Sequence, residues 1–265
     1  MRLEDATILV VDDEPELREI FAAWLNRKGC TVLIAANGVE ALGILEKAKV
    51  DVLVSDIRMP VMGGVPLIRE IYARKLMIPS IIFVSGFGDV KPREMYGLGV
   101  EALMEKPLSR QDLIHVLEDS LLEREELWLT PLTRPVEQTV EMMRESLDEA
   151  AATCQFQMGR GGCCFTSNRP LVEGKTIGLS IHFAGDGRKL EAQGTVRWFD
   201  SAASQAGVSF LYLGPSCRNW VIAAMHDRAY RSFVPQCRCD GCDAVSATDA
   251  GSSASVPELV PQAVT

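Results

Sequence analysis

Acidic side chains follow two short apolar runs in the first half of the sequence. Residues 7–11 read Thr-Ile-Leu-Val-Val and lead directly into Asp12 and Asp13, and the run Val-Asp-Val-Leu-Val-Ser at 50–55 leads into Asp56. Three carboxylates brought close together cannot all stay ionised unless a cation joins them or one of them takes up a proton. Hard oxygen ligands that leave room for water are those that Mg²⁺ prefers. The sequence therefore predicts a divalent-cation site where these two runs meet.

A hydroxyl and an ammonium group end two further apolar runs. Pro-Ser-Ile-Ile-Phe-Val precedes Ser85, and Glu-Ala-Leu-Met-Glu precedes Lys106, which is followed by Pro107. A carboxylate can attack phosphorus to form an acyl phosphate, and a lysine can neutralise the phosphoryl oxygens as a compact point charge. The serine hydroxyl can donate to such an oxygen only once the phosphoryl group is present. Singly, each residue could simply cap a helix or begin a turn, but together they favour a phosphoryl-transfer site.

Strand-like and helix-like segments alternate about five times over residues 1–122. Leu17, Phe21 and Leu25 share one helical face, and Asn37 followed by Glu40 has the spacing of a helix N-terminus. The strand-like runs are nearly continuous in apolar residues, which is typical of a parallel sheet covered by helices on both faces. We therefore predict a doubly wound α/β domain with a five-stranded parallel sheet. Chemistry in such folds gathers at the carboxyl ends of the strands.

Residues 1–122 resemble the receiver domain of two-component response regulators. The motifs that carry the resemblance are ILVVDDE, DVLVSDIRMPVMGG, IIFVSGFGD and EKPL, in this order and with the usual spacing. The resemblance implies that Asp56 is the phosphoacceptor, that Ser85 is the switch hydroxyl, and that Lys106 contacts the phosphate. It also implies a sensor histidine kinase or phosphotransfer protein as partner. The domain would catalyse its own phosphorylation and dephosphorylation and would not be an enzyme with external turnover.

The same resemblance assigns the ligands of Mg²⁺. Asp13 would bind the ion directly, Asp12 mainly through water, and the backbone carbonyl of Arg58 would join Asp56 as a further ligand. One position departs from the family, because Leu103 stands where Tyr or Phe is common three residues before the lysine. An aromatic rotamer switch is therefore not expected here.

A linker is predicted between the two halves, at residues 123–153. The amphipathic stretch from Ser109 to about Trp128 is interpreted as the last receiver helix, whose end could continue as a connector or simply pack locally. Two prolines follow, and a second helix is then predicted because apolar residues recur at helical spacing. These residues are Val136, Val140, Met143, Leu147 and Ala151. That helix could pack on its own domain or pair with a second copy, so a homodimer stays open.

Residues 154–234 have a strand-rich pattern and resemble a PilZ domain. Short alternating runs separated by turn residues predict a small antiparallel β-barrel, closed by an amphipathic helix at about 215–233. The segments that carry the resemblance are GRGGCCFTSNRPLVEGKTIGLSI, LEAQGTVRWF and AGVSFLYL.

PilZ domains typically bind cyclic di-GMP through an R-x-x-x-R pair and a D/N-x-S-x-x-G motif. Here the second motif aligns with residues 157–162, which read Gln-Met-Gly-Arg-Gly-Gly, and Arg134 and Arg144 stand ten residues apart. We therefore expect weak or absent cyclic di-GMP binding and an output through contacts with a downstream protein, with Arg160 a solvated side chain. The alternative is a dual sensor whose second domain does bind the dinucleotide.

The remaining residues, 235–265, are small, polar and rich in Pro, Ser and Ala, which predicts a disordered tail. Cys237, Cys239 and Cys242 form C-x-C-x-x-C, which could collect a soft metal although a fourth ligand is not evident.

Composition limits the remaining function classes. The net charge of −9 and the lack of a helix-turn-helix pattern argue against nucleic-acid binding. No apolar stretch has the length of a membrane span, and the N-terminus lacks a signal-peptide pattern, so a cytoplasmic protein is expected. The eight cysteines are accordingly expected to be thiols.

Overall fold

The computed structural model describes residues 1–86, 88, 91–122, 126, 128–130, 136–227 and 231–236. These residues form two sheets, one of five strands and one of six. Of the predicted tail, Pro235 and Gln236 are described, and Gln236 Nε2 donates to the carbonyl of Arg93. Residues 237–265, including Cys237, Cys239 and Cys242, lie outside the described residues.

The first sheet has the order β2-β1-β3-β4-β5, and every pair is parallel. Its strands are β1 (Thr7–Val11), β2 (Thr31–Ala35), β3 (Val52–Asp56), β4 (Ser80–Ser85) and β5 (Ala102–Glu105). The helices between and after them are α1 (Pro15–Asn26), α2 (Gly38–Leu45), α3 (Gly64–Ala73), α4 (Pro92–Leu98) and α5 (Arg110–Leu121). The predicted five-stranded parallel α/β fold is confirmed.

Both faces of this sheet are covered. Leu9 and Val11 of β1 pack in one apolar cluster, and Ile8 and Val10 pack in another on the opposite face. This alternation explains why the inner strands β1, β3 and β4 read as continuous apolar runs, because both of their faces are buried. The predicted N-terminus of α2 is also confirmed, since the Asn37 side chain accepts from two backbone N–H groups of the first turn.

The second sheet has the order β6-β9-β10-β11-β8-β7. Its strands are β6 (Gln138–Arg144), β7 (Phe156–Met158), β8 (Gly162–Thr166), β9 (Thr176–Phe183), β10 (Arg188–Asp200) and β11 (Gln205–Leu213), with helices α6 (Leu147–Ala152) and α7 (Pro215–Asp227). All pairs are antiparallel except β6 with β9. The sheet curls around one apolar core. Within the described residues no ladder joins the edge strands β6 and β7, so the closed barrel stays a prediction.

The predicted helix over residues 136–151 is wrong in its first part, because residues 138–144 form strand β6. The side chains alternate along it, so that Met142 packs against the core whereas Met143 is 72% exposed. The unpaired edge of β9 offers seven register partners to this segment, and those backbone hydrogen bonds outweigh a helix of modest apolar content. Helical structure begins at Leu147, where α6 is capped by Ser146.

Trp128 was assigned to the last receiver helix, and this is wrong as well. Helix α5 ends at Leu121, whereas Trp128 is 1% exposed in the core of the second sheet. Its Nε1 donates to the carbonyl of Phe210 at 3.0 Å, and the two rings meet edge to face. The segment predicted as a helical linker therefore contributes a strand and an aromatic anchor to the second half.

Candidate functional site

The predicted site residues lie at the carboxyl edge of the first sheet. Asp12 and Asp13 follow β1, Asp56 ends β3, Ser85 ends β4, and Lys106 follows β5. Adjacent parallel strands bring these ends together. The register of β3 and β4 pairs Asp56 with Val84, the residue just before Ser85.

Lys106 is ion-paired with two of the carboxylates. Its Nζ donates to Oδ2 of Asp12 at 2.9 Å and to Oδ2 of Asp56 at 2.6 Å. The side chains of Asp12 and Asp56 are only 2% and 11% exposed, so water screens these charges weakly. The ammonium group thus joins the ends of β1, β3 and β5.

The carboxylates decide the protonation state of Lys106. Burial alone would lower the pKa of this lysine, but hydrogen bonds to Asp56 and Asp12 and their negative charges outweigh burial and raise the pKa above its ordinary value of 10.5. The stabilisation from this pairing is therefore fully present below pH 10.5 and is lost as the pH rises through the higher pKa of the folded protein.

Backbone groups hold the remaining carboxylate oxygens. The N–H of Glu14 donates to Oδ1 of Asp12 at 2.9 Å, and the N–H of Arg58 donates to Oδ1 of Asp56 at 3.1 Å. These contacts fix the orientation of both carboxylates. For Arg58 the structure records this N–H contact, and the role of its carbonyl as a metal ligand stays a prediction.

A cation would find three carboxylates in this pocket. One oxygen each of Asp12, Asp13 and Asp56 lies within 4.8 Å of the others. Asp13 is exposed, so water reaches the cluster from one side. Oxygen donors with access to water fit Mg²⁺, which keeps several of its waters when it binds.

Ser85 and Leu103 are the remaining receiver positions that the sequence analysis singled out. Ser85 is 6% exposed, at the point where the chain leaves β4 toward α4. Leu103, in the position where the family has an aromatic residue, is half-buried against the receiver core and against a cluster that contains Trp198 and Phe233. This position therefore carries an aliphatic contact with the second half of the chain.

Arg160 is not the solvated side chain that the sequence suggested. Its Nη1 lies 2.5 Å from Oε1 of Glu101, and its Nη2 donates to the carbonyl of Gly99 at 2.7 Å. Its guanidinium also lies over the ring of Phe233. Because Glu101 and Gly99 belong to the first half, this arginine joins the two halves.

Comparison with known proteins identifies the first half. The family model of the response regulator receiver domain matches residues 8–118. Those residues are a receiver domain of a two-component response regulator, as the five-stranded fold and the acidic pocket indicated. Receiver domains bind Mg²⁺ at this pocket and interact with sensor kinases.

Curated relatives and solved structures match part of the chain. Transcriptional regulatory protein FixJ of Rhizobium meliloti (strain 1021) is 34% identical over 117 residues, which are 44% of this chain and 57% of FixJ. GlrR of Escherichia coli (strain K12) is 31% identical over 121 residues, 46% of this chain and 27% of GlrR. Response regulator protein TrrA from Thermotoga maritima, crystallised in complex with Mg(2+)-BeF, has 27% sequence identity to this chain and a TM-score of 0.40. The match covers 44% of this chain and 100% of the TrrA chain. The chain therefore spans 57% of the length of FixJ and 27% of the length of GlrR.

Five of the eight cysteines are described, and each of the five is buried. Cys30, Cys163, Cys164 and Cys217 carry free thiols, as predicted. Cys154 lies in the apolar cluster that contains Trp198. Among the described residues, no helix has the length and apolar character needed to span a membrane.

Sequence reasoning missed the residues that join the halves. Arg93 of α4 forms an ion pair with Asp200 of β10 and lies over the ring of Trp198 at 5.2 Å. Arg93 and Asp200 belong to none of the motifs quoted above. A contact between segments that are distant in the sequence also leaves no periodic signal.

Proposed function

We propose that the chain is a response regulator that accepts a phosphoryl group on Asp56. The observation that carries the proposal is the 2.6 Å contact between Lys106 Nζ and Asp56 Oδ2, inside a pocket that also holds Asp12 and Asp13. A carboxylate oxygen of Asp56 attacks the phosphorus of the donor, and an O–P bond forms as the bond to the leaving group breaks with its electron pair. The charge of Lys106 stabilises the phosphoryl oxygens.

The remaining roles are those that the resemblance to receiver domains implies, and the positions of the residues support them. Ser85, at the end of the strand next to Asp56, would donate its hydroxyl proton to a phosphoryl oxygen. Asp13 would hold Mg²⁺ directly, Asp12 through water, and the Arg58 carbonyl would complete the protein ligands. When bound, the ion neutralises negative charge on the transferred group.

Phosphoryl uptake tests this proposal. The full chain is incubated with Mg²⁺ and acetyl phosphate, and intact-mass spectrometry should record a gain of one phosphoryl group. Asp56→Asn should abolish the gain, whereas Glu19→Gln, which removes an exposed carboxylate on α1, should leave it unchanged. Equal uptake by the Asp56→Asn variant would refute the assignment.

We also propose that the second half is a PilZ-like output domain that acts through contacts with a downstream protein. The motif segments LEAQGTVRWF and AGVSFLYL fall on the neighbouring strands β10 and β11, and α7 follows the sheet, an order that supports this likeness. Residues 1–122 would be the receiver. The output domain would comprise residues 154–234 together with strand β6 and Trp128, which belong to the same sheet and core. The chain would be a cytoplasmic protein paired with a sensor histidine kinase or a phosphotransfer protein.

Cyclic di-GMP is not proposed as the ligand. Arg160, the arginine of the aligned motif, is bonded to Glu101 and Gly99, so a dinucleotide phosphate would have to displace a carboxylate. Titration calorimetry of the full chain with cyclic di-GMP should give no binding heat at micromolar concentrations, and clear micromolar binding would favour the dual-sensor alternative.

A further inference from the structure

A polar cavity lies beside the edge strand β6 in the second half of the chain. Its volume is about 690 Å³, which falls in the range of roughly 300–1,000 Å³ that is usual for ligand pockets. Its described lining consists of every residue of β6, from Gln138 to Arg144, together with Gln155 and residues 166–169. Among the described residues, none of residues 157–162 lines the cavity, so it is distinct from the segment that aligns with the dinucleotide motif.

The cavity exists because β6 is paired along one edge only. Its register partners all belong to β9, and within the described residues no ladder covers its other edge. Half of the described lining side chains are neutral and polar, so they can donate or accept hydrogen bonds. They are the amides of Gln138, Gln155 and Asn168 and the hydroxyls of Thr139, Thr166 and Ser167. Such a lining suits a polar ligand better than an apolar one.

Arg144, at the end of β6, is a cation whose hydrogen-bond partners are all neutral. Its Nη1 donates to the carbonyl of Met143 and its Nη2 to Oγ1 of Thr166, both at 3.0 Å. Its Nε is buried without a hydrogen-bond partner, and within the described part of the chain Arg144 forms no ion pair. Burial lowers the pKa of this arginine, and no neighbouring carboxylate raises it. A charge that has lost water and gained no counter-ion is costly, so a bound anion would stabilise it.

Arg169 brings a second positive charge to the same cavity. Ser167 Oγ accepts from the Arg169 N–H at 3.3 Å and donates to the Arg169 carbonyl at 2.7 Å, so the backbone there is held locally. Arg169 itself is exposed and has no ion-pair partner among the described residues. Glu141 is the single carboxylate in the described lining, and it is exposed on the outer face of β6, the same face as Met143. Two cations therefore face one carboxylate.

A smaller cavity adjoins the first one and is acidic. Its volume is about 310 Å³, it shares Arg144 with the larger cavity, and Glu145 and Glu149 line it. Arg144 therefore stands between an acidic side and a side that carries Arg169. This arrangement orients a ligand, because an anionic group is repelled by the two glutamates and attracted toward Arg169.

We propose that the larger cavity binds a small polar anion of the size of a mononucleotide, with a terminal phosphate or carboxylate that contacts Arg144 and Arg169. Arginine suits this role because its planar guanidinium donates two parallel hydrogen bonds to either group. The amides and hydroxyls of the lining then bind the uncharged part of the ligand. The site gives the second half a small-molecule ligand of its own, and it does not depend on phosphorylation of Asp56.

Calorimetric titration of the full chain tests the site with two anionic probes. ADP carries a terminal phosphate and citrate carries carboxylates, and adenosine is the uncharged counterpart of ADP. The buffer is metal-free, so that Mg²⁺ cannot hold either anion at the acidic pocket of the receiver. Arg144→Met and Arg169→Gln remove the two charges, and Arg27→Gln is the matched control because Arg27 is an exposed arginine at the end of α1.

At least one of the two anions should bind the parent chain at millimolar concentration or below, and adenosine should not bind. Arg144→Met and Arg169→Gln should each weaken that binding at least about tenfold, because each loses hydrogen bonds between charged groups. Arg27→Gln should match the parent. Binding of ADP alone would assign a phosphate ligand, and binding of citrate alone would assign a carboxylate ligand.

Three results would overturn the proposal: no binding of either anion, equal binding of adenosine and ADP, or full affinity in Arg169→Gln or in a folded Arg144→Met. Tryptophan fluorescence checks the fold of each variant, since three of the four tryptophans lie in the second half. If Arg144→Met does not fold, Arg169→Gln decides. Asp56→Asn should bind the anion as the parent does, so failure of this site and failure of the proposed phosphoryl acceptor are separate results.

Discussion

Replacing Arg160 by methionine removes the guanidinium that faces Glu101 across the two halves. The Glu101 side chain is 4% exposed and that of Arg160 is 28% exposed, with 2.5 Å between Nη1 and Oε1. Methionine keeps most of the aliphatic volume, so the change mainly removes the guanidinium charge that faces the buried carboxylate. Breaking a buried pair in this way costs roughly 3–5 kcal/mol. Separation of the halves would let water reach Glu101, so the measured loss cannot exceed the free energy that holds the halves together.

A double-mutant cycle measures the pair itself. Urea unfolding, followed by circular dichroism, gives the free energy of unfolding of the parent, Arg160→Met, Glu101→Gln and the double variant. We expect Arg160→Met to be the most destabilised, and the added Glu101→Gln change to recover at least about 1 kcal/mol, because a neutral amide no longer needs the cation. The control is Lys175→Met, which removes one partner of an exposed pair with Glu137 and should cost under about 1 kcal/mol. A loss for Arg160→Met no greater than for this control would refute the buried-pair argument.

Three further predictions test other parts of the molecule. Trp128→Ala should lower the free energy of unfolding by about 3–5 kcal/mol, because it empties a fully buried position in the second core; thermal and urea unfolding measure this, and a change under about 1 kcal/mol would contradict the placement of Trp128. Asp13→Asn should weaken Mg²⁺ binding in calorimetry at least about tenfold, whereas unchanged affinity would exclude Asp13 as a direct ligand. Burial raises the pKa of the Cys163 thiol well above its ordinary value, so iodoacetamide at pH 8 should leave Cys163 unmodified in the folded chain and label it once the chain is unfolded in urea.

The receiver could be predicted from sequence because its information is local. Each strand is a short apolar run, and each group of the acidic pocket sits one or two positions beyond such a run, so the topology of a parallel sheet brings them together. Asp12, Asp56 and Lys106 were expected to converge for this reason, and the hydrogen bonds of Lys106 join them. Their chemical roles are proposals that phosphoryl uptake and metal binding will test.

The segment between the halves could not be predicted in the same way. Residues 136–151 contain apolar side chains at spacings that fit a helix, and Met142 next to Met143 fits either period. What decides the outcome is the free edge of β9, which is nearly forty residues away in the sequence and accepts β6 along seven register positions. Trp128 illustrates the same limit, since its partner Phe210 is 82 positions distant. Non-local pairing overrides local propensity in both cases.

The departure of residues 157–162 from the dinucleotide-binding pattern and the contact between the halves have a common physical basis. Glycine at 159 and at 161 leaves room for residues 232–235, since a Cβ at either position would lie within 3 Å of their atoms. Arg160 between them directs its guanidinium to Glu101 of the receiver. A phosphate at Arg160 would compete with that carboxylate, and a ligand seated over the two glycines would compete with Phe233. Residues 157–162 therefore cannot contact the receiver and residues 232–235 and bind a dinucleotide at the same place at the same time. Any such ligand would first have to separate the two halves. It would bind a chain that ends after Asp227 more tightly than the full chain.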